Sequence, residues 1–127
     1  MTPARKSPNL DDPERHVPLT NLAFHILIAL ASGPRHGYGI IIDVEQRTEG
    51  GMRLRSGTLY TAIQRLQQDG LLEEADRPDG GARDDQRRRY YQLTLLGRQV
   101  ARLEATRLAA MLQTARQREL IDWGKGS

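Results

Sequence analysis

Apolar positions along the chain recur first at helical spacing, then shorten into strand-like runs, then return to helical spacing. Between Thr20 and Ser32, Leu22, Ile26, Leu27 and Leu30 fall three and four residues apart. This predicts a helix capped by Thr20 or Asn21 and stopped by Gly33-Pro34. A second helix is expected from His36-Gly37 through Ile40, Ile41, Ile42 and Val44 to about Thr48, with Glu49-Gly50-Gly51 ending it. The third has Ser56 as its expected cap and Gly70 where a terminating glycine belongs. At about 100° per residue, Leu59, Ala62, Ile63 and Leu66 share one face of it. Two strand-like segments follow, Leu71 to about Arg77 and Arg87 to about Thr94, around a Pro78-Asp79-Gly80-Gly81 tip. From Leu95 to Leu120 an apolar stripe of Leu96, Val100, Leu103, Leu108, Met111, Leu112 and Ala115 predicts one long helix without a strict heptad.

Three helices, a hairpin and a long helix describe a mainly α fold with a small β-hairpin: a winged helix-turn-helix plus a long C-terminal dimerisation helix. The expected divisions are a disordered arm over 1–17, the winged unit over 18–94, the dimerisation helix over 95–121 and a flexible tail over 122–127. In this fold the third helix enters the major groove, the second crosses the backbone, and the hairpin forms the wing. The last helix is longer than so small a core needs, so Leu96, Val100, Leu103, Leu108, Met111 and Leu112 are expected to pack on a second copy of the chain.

Composition narrows the function classes more than it selects one. The 127 residues include no cysteine, which excludes disulfides and thiolate metal sites. No apolar run approaches the roughly 20 residues that span a bilayer, and the polar, proline-containing start does not resemble a signal peptide. A cytoplasmic protein without membrane contact is expected. Three histidines (His16, His25 and His36) and scattered acids form no catalytic constellation, so neither an enzyme nor a cofactor site is expected. His25, within an apolar stretch, reads as a hydrogen-bonded structural histidine.

The net charge is only +3, but the basic residues are nearly all arginine, whose planar fork suits phosphates and base edges. Their placement matters more than their number. The outward face of the third helix carries Gly57, Thr61, Gln64 and Gln68, flanked by Tyr60 and Arg65. An ordinary solvated face would carry Glu and Lys, whereas amide and hydroxyl groups suit base edges in a major groove. Thr61, Gln64 and Arg65 are therefore the expected base readers. Ser56 and Thr58, at the helix start, are expected on a phosphate, with Tyr38, Arg53 and Arg55 beside them on the backbone. Arg83, Arg87 and Arg88 would serve the wing, although Asp79, Asp84 and Asp85 partly offset their charge. The alternative is a winged-helix interaction module that does not bind DNA.

Four short motifs carry a family resemblance: His36-Gly37-Tyr38-Gly39-Ile40, Gly57-Thr58-Leu59-Tyr60, Asp69-Gly70-Leu71-Leu72, and Tyr90-Tyr91-Gln92-Leu93-Thr94 with Gly97. In this order and spacing the chain resembles the PadR family of transcriptional regulators over roughly residues 19–113, and the subfamily with a single C-terminal helix in particular. The resemblance implies a homodimer, usually a repressor, whose C-terminal helix meets the partner's N-terminal helix. It also implies that Ser56 to Arg65 reads DNA, with Tyr60 at the interface. Thr61 stands where family members often have proline, so base contacts at that position do not carry over directly. Multidrug-binding relatives imply an apolar effector between subunits. The long helix here is aliphatic, however, which favours dimer packing and leaves the effector unidentified.

Overall fold

The computed structural model describes residues 12–76 and 89–122. A short 3-10 turn, Pro13–His16, precedes α1 (Asn21–Leu30), β1 (Arg35–His36), α2 (Gly37–Arg47) and α3 (Ser56–Gln68). Then come β2 (Leu72–Ala75), β3 (Tyr90–Leu93) and α4 (Leu95–Gln117).

Helix ends are fixed by local chemistry. The Thr20 hydroxyl accepts from the Ala23 N–H at 3.0 Å to start α1, and His36 Nδ1 accepts from the Gly39 N–H at 3.0 Å to start α2. Past the end of α3, Gly70 adopts φ +80°, which brings the Leu71 N–H to the Leu66 carbonyl and its own N–H to that of Gln67. Ser56 is not the α3 cap. Arg55 holds that position without a side-chain bond, and Ser56 is the first helical residue.

The sheet has three strands rather than the expected two, in the order β1-β3-β2, all antiparallel. Arg35 pairs with Tyr91 and His36 with Tyr90, so the entry to α2 is tied to the returning strand of the wing. Both hairpin strands are shorter than expected among the described residues, and Thr94 leaves the strand to cap α4. Its hydroxyl donates to the Gly70 carbonyl at 2.6 Å and accepts from the Gly97 N–H at 2.9 Å. Gly97 lies directly on the Leu71 carbonyl, where a Cβ would overlap the backbone. The start of α4 is thus pinned to the end of α3.

Ile26, Leu27 and Leu30 of α1, Ile40 and Val44 of α2, and Leu59, Ile63 and Leu66 of α3 form one core with Leu71, Leu72 and Tyr91. Its burial joins the three helices, contributing roughly 1.5–3 kcal/mol per large side chain before the entropy of ordering is counted.

Two expectations about the ends of the chain are corrected. Residues 13–16, assigned to a disordered arm, form a turn packed on α4. Val100, assigned to the partner surface, is completely buried in this chain's own core, and Leu96 packs against the same core. The first turns of α4 lie on α1 and β3, so their apolar side chains are used within the chain. No helix among the described residues is long and apolar enough to cross a membrane.

Candidate nucleic-acid interface

The side of α3 opposite Leu59 and Ile63 is open. Gly57, Thr58, Thr61, Gln64, Arg65 and Gln68 are all exposed, as are Arg53, Arg55 and Ser56 at the approach to the helix. Because no side chain caps α3, its first-turn N–H groups point outward beside these arginines and hydroxyls. Tyr38, on the first turn of α2, is 63% exposed. Tyr38 thus stands exposed at the start of α2, while Arg53, Arg55, Ser56, Thr58, Thr61, Gln64 and Arg65 run exposed from the approach to α3 along its outer side. Tyr60 is only partly free: its hydroxyl lies over Gly37, at the start of α2. Arg83, Arg87 and Arg88 lie outside the described residues.

Several charges near this surface are already engaged. Arg89, at the foot of β3, pairs with Glu74 at 3.1 Å, and Gln92 donates to Glu73 at 2.8 Å. Asp43 holds Arg47 at 2.7 Å and Arg35 at 3.6 Å. Arg47 then reaches the His25 carbonyl at 3.1 Å and its Nδ1 at 3.3 Å, while Arg35 donates to the Ala29 carbonyl at 2.7 Å. Burial, and then the Arg47 charge, hold the His25 imidazole below its ordinary value. His25 is thus a structural histidine joining α1 to α2. No cluster of His, Asp or Glu suited to a metal occurs among the described residues.

The sequence matches the family model described as "Transcriptional regulator PadR-like family" over residues 26–103, more than half of the chain. The chain belongs to the PadR-like family of transcriptional regulators. Solved structures agree on the fold of this PadR-like chain. A PadR family transcription regulator from Clostridium difficile superposes with a TM-score of 0.61 at 22% identity, covering 76% of this chain and 95% of that one. The Bacillus subtilis PadR structure in complex with operator DNA superposes with a TM-score of 0.53 at 21% identity, covering 64% and 44%. Among curated relatives, an uncharacterized protein of Lysinibacillus sphaericus is 33% identical over 75 residues, 58% of this chain and 64% of its own length. An uncharacterized 37.1 kDa protein in a Streptomyces fradiae transposon is 36% identical over 86 residues, 68% of this chain and 22% of that one. The PadR-like chain thus spans less than two thirds of either curated relative.

Two features of this PadR-like chain are not evident from its sequence. Arg15 and His16 line a cleft of about 740 Å³ together with Thr58, Thr61 and Arg65, so the N-terminal turn borders one flank of α3. Glu104 is almost completely buried on α4, although it is an acid in a helix of mixed polarity. It accepts from Arg107 at 2.7 and 3.0 Å and from the Leu19 N–H at 3.0 Å. The Arg107 hydrogen bonds chiefly hold its carboxyl below the ordinary range, outweighing burial, with the Leu19 N–H assisting. The only sequence signal is Arg three residues after a Glu that follows Val100 by four.

From Leu103 onward the apolar stripe of α4 is not part of the core cluster. Leu103 and Leu108 are half-buried, and Met111 and Leu112 are 54% and 44% exposed.

Proposed function

We propose that this chain is a sequence-specific DNA-binding regulator that acts as a homodimeric repressor on a palindromic operator. The observation that carries the reading is the exposed face of α3, where Thr61, Gln64 and Gln68 present neutral hydrogen-bonding groups flanked by Arg65. Such a face suits base edges, which require donors and acceptors at fixed positions rather than bulk charge. The B. subtilis PadR structure with operator DNA supports the same use of the shared fold. Arg53, Arg55, Ser56 and Thr58 would take phosphates at the start of α3, and Tyr38 would take one at the start of α2. Arg15 adds a cation on the Arg65 flank, and Arg83, Arg87 and Arg88 would serve the wing. Leu103, Leu108, Met111 and Leu112 would meet the partner, near the exposed Ile28 of its α1.

The neutralised strands of the hairpin favour the rival reading, an interaction module that binds no DNA. Heparin retention and gel shift with excess nonspecific competitor separate the two. A regulator is retained and keeps a shifted band on chosen duplexes near 150 mM salt, whereas an adaptor does neither (about 8 Å screening length).

A further inference from the structure

Tyr60 occupies the flank of α3 that faces α2. Its hydroxyl oxygen and ring carbon Cζ fill the space that a side-chain carbon at Gly37 would need. Gly37 is the first residue of α2 and is buried. The next glycine differs: a Cβ on Gly39 would meet His36 at ordinary contact distances of 3.6–3.7 Å. Among the glycines of the described residues, Gly37 is the one whose missing side chain admits another helix's ring.

More aromatic groups converge at this point. The His36 ring lies edge-on to Tyr90 of β3, with centroids 5.3 Å apart, and parallel to Tyr38 at 6.4 Å. The Tyr91 hydroxyl is pushed up chiefly by burial and then by the nearby Tyr60. Recognition helix, supporting helix and returning wing strand therefore meet around one residue. The aliphatic contacts of Leu59 and Ile63 hold α3 on the core from one face, and sliding or rotation of the helix is limited further by what meets its flanks. A ring seated in a gap one methyl wide resists both.

We propose that Tyr60 is a positioning residue, its ring keyed into the gap at Gly37 so that α3, α2 and the wing strand present one fixed surface to duplex DNA. This deepens the DNA-binding reading and rests on it. It also gives the end of the Tyr60 ring, whose hydroxyl oxygen lies deepest over Gly37 with Cζ behind it, a packing role rather than a phosphate contact. A phosphate contact through the hydroxyl would make the opposite demand.

The test uses Gly37→Ala, Tyr60→Phe, Tyr60→Ala and the Gly37→Ala/Tyr60→Ala double variant of the full chain. Two quantities are read: affinity for a duplex that the parent chain selects from random sequence, and the thermal midpoint without DNA. Tyr60→Phe keeps the ring and should bind within about twofold of the parent with an unchanged salt slope. Gly37→Ala and Tyr60→Ala should each lose roughly tenfold or more, and Gly37→Ala should cost under about twofold once Tyr60 is alanine. The midpoints should show the same non-additivity. The double variant keeps the cycle readable even where Gly37→Ala alone folds poorly. The proposal is overturned if Tyr60→Phe binds as weakly as Tyr60→Ala, or if Gly37→Ala costs the same in both backgrounds. A parent chain that selects no duplex overturns the DNA reading, while the thermal cycle still decides whether Tyr60 and Gly37 are coupled.

Discussion

At Gly57, on the exposed second position of α3, a Cβ would meet no atom of the described residues within 4 Å. Nothing among the described residues requires glycine there, and alanine favours a helix by up to about 1 kcal/mol. If α3 enters a groove start-first, the added methyl meets DNA instead. Gly57→Ala should therefore raise the thermal midpoint while weakening operator binding, and melting and gel shift on the same preparation read both. A gain or no change in both quantities would place the DNA elsewhere. On the proposed reading, the arginines and amides around Gly57 would divide by role. Gln64→Ala should relax preference at one base pair, at about 1–3 kcal/mol of lost discrimination. Arg53→Ala or Arg55→Ala should weaken all sequences alike and reduce the salt slope by about one each. Equal effects of the two classes on specific and nonspecific DNA would contradict this division.

Among the elements, α4 combines two roles in one helix. Its first half closes the chain's own core through Val100, and Glu104 then clamps Leu19 so that the entry to α1 stays on α4. The folded state lowers the Glu104 pKa, so its contribution is complete above the unfolded value of about 4.3. That contribution is lost as pH falls through the folded value. Glu104→Gln should lower the midpoint at pH 7, and the gap from the parent should narrow as pH drops below about 4. A gap that stays constant with pH would rule out the charged clamp. Helices α1 to α3 were legible because their apolar residues include pairs three and four apart and end at Gly33-Pro34, Gly50-Gly51 and Gly70. The strand β1 was not, since two residues, Arg35 and His36, offer no alternation to read. The end of α4 was overshot because Glu119, with φ +65°, turns the chain where glycine would ordinarily signal a stop. The two halves of the α4 stripe look alike in sequence. Only the position of α1 and β3 decides that Val100 faces inward and Met111 outward. On α3 the outward face was legible residue by residue, whereas the seat of Tyr60 on Gly37 depends on two helices meeting.

For the whole molecule, α4 extends about 34 Å at 1.5 Å per residue, and Met111 and Leu112 near its end stay only partly covered by the described residues of the chain. The proposed second copy would supply further cover. Because Leu112 is 44% exposed in the single chain, Leu112→Glu should leave the fold intact and shift the chain to monomer in sedimentation equilibrium. It should also sharply lower operator affinity, since each half-site would then be bound alone. A dimer unaffected by this change would move the interface off the distal part of α4. The proposal that α3 reads sequence as one of a symmetric pair is tested most directly by selecting bound duplexes from a random-sequence pool. A symmetric pair should enrich a palindrome whose half-sites are centred about 34–36 Å apart, one helical turn, or a multiple of it. Recovery of unenriched sequence, or of a single asymmetric site, would contradict it.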